Sequence, residues 1–275
     1  MTTVLTPATT PSTGNGSTGL RVTQVRVLLS EWTKFRSLRS TVSTLLIAVV
    51  VMIGLGAMFA AITASQATGF EPGATAISTS LTGTFFAQLA VGVLGVLLIT
   101  GEYSTGMIRS SLTVVPSRLP MLWGKLAVFA GTVFLTMLAA SFTSFFVGQA
   151  LLSGHHLDAS LSDPGALRAV FGAALYLTVA GLTATAIGAL LRNTAGAITT
   201  FVAVFFVFPP LTNLLPTSLT DHFVQYLPSN AGAVLLDGTF GVANPLTPWT
   251  GFTVMCGYAV VLIGLAAWRL CRVDA

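Results

Sequence analysis

Residues 41–62 read TVSTLLIAVVVMIGLGAMFAAI, an apolar run without a single charged side chain. A helix crossing a hydrocarbon layer about 30 Å thick needs about 20 mainly apolar residues, because no water is present there to satisfy an exposed backbone. This run meets the requirement by itself. Further runs of the same kind lie at roughly 82–100, 126–152, 168–191, 195–215 and 250–268, so the expected architecture is all-α and polytopic, with six transmembrane helices over 40–275.

The composition agrees. Of 275 residues, 53% are hydrophobic and 7% charged, whereas a soluble domain carries about 25% charged residues. With a mean hydropathy of +0.86, the chain can cover its surface only if much of that surface faces lipid. The cysteines, Cys256 and Cys271, would lie about 22 Å apart on one helix, beyond the reach of a disulfide at about 7 Å. No intrachain bridge or metal cluster is implied.

The net charge of +4 arises from 12 Lys and Arg against 8 Asp and Glu, and its placement gives its meaning. Six spans put both termini on one side. That side holds Arg21, Arg26, Lys34, Arg36, Arg39, Arg109, Arg118, Lys125, Arg192, Arg269 and Arg272, while the other holds Arg168 together with Glu71, Asp158, Asp163, Asp221 and Asp237. The positive-inside rule then places both termini in the cytoplasm of a plasma-membrane protein. Orientation accounts for the basic excess, and no nucleic-acid partner is called for.

Residues 1–19, rich in Thr, Ser, Gly and Pro and free of charge, are expected to be a disordered tail. No basic region precedes an early apolar stretch, so nothing suggests a cleaved signal. None of the six predicted spans holds a charged residue in its middle, whereas ion-coupled carriers place such groups at depth. The deepest polar groups are Gln88, Gln149 and Asn213, suited to hydrogen bonds between helices. His155, His156 and His222 fall in outer loops, where they are read as solvated, so no catalytic or metal residue is assigned. A phosphate-binding loop G-x-x-x-x-G-K-[ST] is lacking as well: Gly124-Lys125 is followed by Leu126, and Leu119 stands where the first glycine belongs. The chain is therefore read as no enzyme, with no cofactor of its own.

Before the first span, LRVTQVRVLLSEWTKFRS places Val22, Val25, Leu28, Leu29, Trp32 and Phe35 at helical spacing, with Arg26, Ser30, Thr33, Lys34 and Ser37 opposite. An amphipathic interfacial helix is expected over 20–39, with Trp32 at the headgroup boundary. Arg36 and Arg39 fall near its apolar stripe and would snorkel to phosphates. Between the second and third spans, GEYSTGMIRSSLTVVPSRLPMLWGK holds a helix-capable piece from Thr105 to Leu112, which Pro116 and Pro120 are expected to break before the third span. With Tyr103, Met107 and Ile108 beside Glu102 and Arg109, this piece suits a groove on a cytoplasmic protein. Local capping, or pairing of Glu102 with Arg109, is the other reading of that glutamate.

The order SEWTKFRSLRST before the first span and GEYSTGMIRSSLTVVPSR between the second and third resembles the membrane subunit of ABC type-2 transporters, over about residues 20 to 272. The resemblance implies a half-transporter that pairs with a second permease subunit, in a homo- or heterodimer, and with cytoplasmic ABC ATPase subunits carrying ATP and Mg. By it, the helix with Arg26, Trp32, Lys34, Phe35 and Arg36 is the interfacial elbow. Glu102, Tyr103, Ser104, Thr105, Gly106, Met107, Ile108 and Arg109 form the ATPase-coupling segment. A gradient-driven secondary carrier and a non-transporting membrane scaffold remain the other classes.

Past the fifth span, Leu219, Phe223 and Leu227 share one helical face, and Ser229 is placed to cap a second piece ending near Gly238. Two short helices dipping toward the bilayer are expected, similar to the re-entrant outer helices of that family, with a surface loop as the alternative. Pro209-Pro210 interrupts the fifth span and is expected to kink it, with Asn213 available to freed carbonyls. By the resemblance, this kink is a possible gate.

Overall fold

A computed structural model describes residues 24–37, 39–66, 74–104, 118–214, 223–236 and 245–272. The described residues form helices and no strand. Helix α1 (Gln24–Ser37) precedes α2 (Arg39–Ser65), α3 (Ala74–Ser80), α4 (Gly83–Ser104), α5 (Arg118–Ser153) and α6 (Ala166–Leu191). Next comes α7 (Thr194–Val202), which runs through a π turn (Ala203–Val207) into α8 (Phe208–Leu211). A short α9 (Pro228–Ala233) and a long α10 (Pro248–Arg272) complete the chain order. Six of these stretches are long and apolar enough to cross a membrane: Arg39–Ser65, Ala76–Tyr103, Leu119–Ser153, Ala166–Leu191, Thr194–Leu211 and Pro248–Arg272.

Helix α2 shows how a lipid-facing helix is written. Its buried residues Ala48, Met52, Gly56, Ala60 and Ala64 recur every four positions, so one narrow, mostly small stripe meets the bundle. Val42, Leu46, Ile47, Val50, Met58 and Ile62 point outward and are exposed. In water such a face would aggregate, whereas in a bilayer it needs no cover.

The centre is α6, which packs against α4, α5, α7 and α10. Its alanines, glycines and threonines let backbones approach closely. A Cβ on Gly95 of α4 would lie 2.4 Å from the Gly181 carbonyl oxygen of α6, and one on Gly188 would lie 3.2 Å from that of Val96. The α6 threonines satisfy themselves: Thr185 Oγ1 donates to the Gly181 carbonyl at 2.8 Å and Thr183 to that of Val179 at 2.8 Å.

Several span boundaries differ from the sequence reading, among them the end of the fifth span, at Leu211 rather than 215, and that of the sixth, at Arg272 rather than 268. The second span starts earlier, because α3 leads into α4 through a break at Leu81-Thr82. The break survives because polar side chains of α5 cover it. Ser144 Oγ donates to the Ser80 carbonyl at 2.7 Å, and Gln149 Nε2 donates to Ser80 Oγ at 3.0 Å and to the Ala76 carbonyl at 3.2 Å. The third span starts at Arg118, eight residues before the expected 126. Pro120 does not break it, since a proline in the first helical turn removes an N–H that has no partner there anyway. The first span's helix is also longer than 41–62, running from Arg39 to Ser65, and near its ends hydroxyls donate to carbonyls about one turn back, Thr44 Oγ1 to Ser40 at 2.8 Å and Ser65 Oγ to Ile62 at 2.7 Å.

The double proline appears as a shift of hydrogen-bond register. The Phe208 N–H donates to the Ala203 carbonyl, five residues back, so the chain widens into a π turn just before two residues that cannot donate. Beyond it, residues 228–236 are buried throughout. A Cβ on Gly232 would lie 2.5 Å from the Tyr176 ring, and one on Gly251 would lie 2.3 Å from the Ala231 carbonyl oxygen. The second of the expected short pieces therefore packs into the bundle against α6 and α10. Ser229 is not its cap: the helix begins at Pro228, a residue suited to the first helical position, and the Ser229 hydroxyl is buried without a hydrogen-bond partner. Leu219, Gly238, residues 1–19 and Thr105–Arg109 lie outside the described residues.

Candidate functional site

The conspicuous chemistry lies at one end of the bundle, where α1, the first turns of α2, the end of α4 and the start of α5 meet. Lys125, in the third turn of α5, donates from Nζ to Glu31 Oε2 at 2.9 Å and to Glu102 Oε1 at 2.8 Å. Lys34 donates to the other oxygen of Glu31 at 3.1 Å and lies 4.0 Å from Glu102. The side chains of Glu31 and Lys125 are each 6% exposed, Glu102 is 12% exposed and Lys34 is 38% exposed. Two carboxylates thus face two ammonium groups, with the cost of desolvation met by short, charge-assisted hydrogen bonds.

Local sequence explains the placement. Glu31 and Phe35 stand four residues apart and so share one face of α1. That face meets the bundle, and Phe35 packs edge-on against Phe129 of α5, with ring centroids 6.4 Å apart. The expected apolar stripe is therefore divided. Leu28, Leu29 and Trp32 are exposed together with Arg36, while Phe35 turns inward beside Glu31. A hydrophobic-face argument passes over Glu31, because it counts a lone glutamate as the solvated side. Lys125 was placed just outside its span; the helix starts at Arg118, so the side chain belongs to the buried part of the span. The available signal was three charges of mixed sign, Glu31, Glu102 and Lys125, each next to an aromatic or aliphatic residue at the edge of an apolar run, where burial calls for a counter-ion.

Burial alone pushes the Glu31 carboxyl up, but Lys125, as a neighbouring charge and hydrogen-bond donor, outweighs it with help from Lys34 and holds the group below the ordinary carboxylate range. A carboxylate depressed in the folded state stabilises fully above its unfolded value, about 4.3, and loses that contribution as pH falls through its lower folded value. The thermal midpoint of the solubilised protein is expected to lose the Glu31 contribution only below about pH 4.3. Glu31→Gln should start lower at pH 7 and show a shallower acid decline, and parallel pH profiles of the two proteins would refute this assignment.

Of the other predicted residues, Tyr103 and Ser104 lie at the same end. Arg26 belongs to α1, and Tyr103 lies in the last turn of α4 with the Arg192 guanidinium 5.2 Å from its ring centroid. Arg192 itself ends α6 in a left-handed conformation, φ 53, and Arg269 of α10 donates to the Leu190 carbonyl. Ser104 is the final residue of α4, and the rest of the expected coupling segment follows it outside the described residues. The local pairing of Glu102 with Arg109 also falls outside them, whereas its bond to Lys125 is present. Pro209, Pro210 and Asn213 lie elsewhere, in the α7–α8 region and the short turn Thr212–Leu214, and are not part of this cluster.

A cavity of about 390 Å³ adjoins the charges. Glu31, Lys34, Glu102 and Lys125 form its polar end with the hydroxyl residues Ser37, Ser40, Thr41 and Thr44, while Phe35, Leu94, Leu97, Leu98 and Val128 form the rest of its wall. The fold defines a multi-pass α-helical membrane protein. No protein-family model and no curated protein matches the chain.

Proposed function

We propose that the chain is the permease subunit of an ATP-driven transporter of the ABC type-2 kind, an exporter of hydrophobic or amphipathic cargo at the plasma membrane. A cytoplasmic ABC ATPase would bind ATP and Mg and supply the energy, and a second permease subunit would complete the path. Both termini are assigned to the cytoplasm from the charge distribution between loops.

One observation carries this reading. The Glu31–Lys125–Glu102 cluster ties α1, α4 and α5 together at the point where the chain leaves α4 for residues 105–109. A push delivered to that segment by a partner would reach α1 and α5 through buried, hydrogen-bonded charges, which hold geometry better than an apolar contact that slides. Helix α1, with Trp32 and Leu29 outward, would lie at the headgroup boundary. The uncharged faces of the spans favour an apolar path.

The test is purification of the tagged protein from its native membrane in mild detergent, with stoichiometry read by mass spectrometry. A phosphate-loop ATPase is expected in a one-to-one ratio, and Arg109→Glu is expected to lower cargo-stimulated ATP hydrolysis without reducing membrane insertion. An intact, monodisperse preparation that contains no ATPase would overturn the proposal in favour of a gradient-driven carrier or a scaffold.

A further inference from the structure

We infer that the cavity beside the charge cluster is a binding site for one anionic phospholipid of the surrounding bilayer, held by its phosphate at the polar end and by one acyl chain along the leucine wall. The inference does not rest on the transporter reading, because it needs only a membrane around the helices.

The geometry divides the cavity into two chemical halves. Phe35, Leu94, Leu97, Leu98 and Val128 offer no hydrogen bond, so water gains nothing by filling that half, whereas an acyl chain fits it without loss. At 390 Å³ the space falls within the range of small-ligand pockets, about 300–1,000 Å³. It lies at the end of the spans where α1 meets the bundle, and Trp32, exposed on α1, is a residue type that marks the headgroup level.

Charge selects the headgroup. Both carboxylates of the cluster are nearly enclosed, at 6% and 12% exposure, and Lys125 at 6% is spent on them. The most exposed cation lining the cavity is Lys34, at 38%, and Arg36 and Arg39 are exposed nearby in the chain. The enclosed groups carry one net negative charge, which Lys34 balances, and Arg36 and Arg39 add the positive charge at this end of the bundle. Among the described residues Lys34 makes one hydrogen bond, to Glu31 at 3.1 Å, and an ammonium carries three donors, so it can serve a phosphate without leaving the cluster. The exposed Ser40 hydroxyl stands at the same end.

The test delipidates the full-length detergent-solubilised protein, adds palmitoyl-oleoyl phosphatidylglycerol or the matching phosphatidylcholine, and counts retained lipids by native mass spectrometry. One phosphatidylglycerol is expected, held about fivefold better than phosphatidylcholine, the effect of one basic contact. Lys34→Gln should remove that preference, and Leu97→Trp, which fills the cavity from a partly exposed position, should reduce both lipids. Glycerol phosphate alone should not displace the lipid. Independently of any variant, a phosphatidylglycerol carrying a diazirine on its acyl chain should label unmodified protein between Leu94 and Leu98 or at Val128. Absence of label there, equal retention of the two lipids by unmodified protein, or displacement by glycerol phosphate at equal concentration would each overturn the site.

Discussion

Replacing Lys125 with methionine is expected to lower the stability of the solubilised protein by about 3–5 kcal/mol, the usual cost of removing one partner from a buried ion pair. The lysine donates to Glu31 at 2.9 Å and Glu102 at 2.8 Å, and its loss leaves two enclosed carboxylates facing each other. Lys34 would be the nearest remaining cation, and its half-exposed ammonium is screened by water. Adding Glu31→Gln and Glu102→Gln to Lys125→Met should restore much of the loss, because a neutral amide is cheaper to bury than an unpaired carboxylate. The measurement is the thermal midpoint, followed by loss of helical signal in detergent. A Lys125→Met protein that melts with the unmodified one would show that the cluster contributes nothing to stability. A triple variant no better than the single one would show that the lysine stem, rather than its charge, is what matters.

A comparably large loss is expected from a single added methyl group. At Gly83, the first residue of α4, a Cβ would lie 2.0 Å from the carbonyl oxygen of Met52 and 2.8 Å from its Cα. Both are backbone atoms of α2, so relief requires moving a helix rather than a side-chain tip. Overpacking of this kind costs about 1–3 kcal/mol and sometimes more, and at this position it also disturbs the Leu81-Thr82 break that Ser144 and Gln149 cover. Gly83→Ala is therefore expected to reduce folded yield and thermal midpoint. Gly131→Ala provides the contrast: nothing lies within 4 Å of its added Cβ, and alanine gains up to about 1 kcal/mol of helix propensity over glycine. Opposite signs for one chemical change at two helical glycines would follow from the packing alone. The same sign at both would refute it.

The sequence disclosed the spans readily because the bilayer imposes a length and forbids charge, and both can be counted along the chain. Residues 41–62 and 168–191 could be read with no knowledge of their neighbours. It disclosed the ends of helices less well. Whether Ala74–Ser80 joins the second span depends on Ser144 and Gln149 of another helix, and whether Pro120 breaks or begins α5 depends on where the first turn lies. Neither fact is local. The charge cluster was half legible: Glu102 was singled out for a partner ATPase and Lys34 for the interfacial helix, neither as a member of a buried ion cluster. Glu31 and Lys125 escaped because each looks like an ordinary boundary charge until the fold brings positions 94 residues apart within 2.9 Å. Helix α9 was visible as a short piece, yet its start was misplaced by two residues: a cap at Ser229 puts the first helical residue at 230, whereas the helix begins at Pro228 with Leu227 in the cap position.

The π turn at Ala203–Val207 adds one residue to the winding of that helix. Each residue advances an α-helix by about 100°, so a helical wheel drawn from Thr194 loses phase there. Positions 208–214 show the bilayer and the bundle a different flank from the one that periodicity projects for them. Phe201 of α7 and Phe205 within the turn stack at 4.6 Å and are both buried, whereas Phe208 and Leu211 beyond it are exposed. Two chains aligned across this region without a gap could match letter for letter and still disagree about which letters face inward.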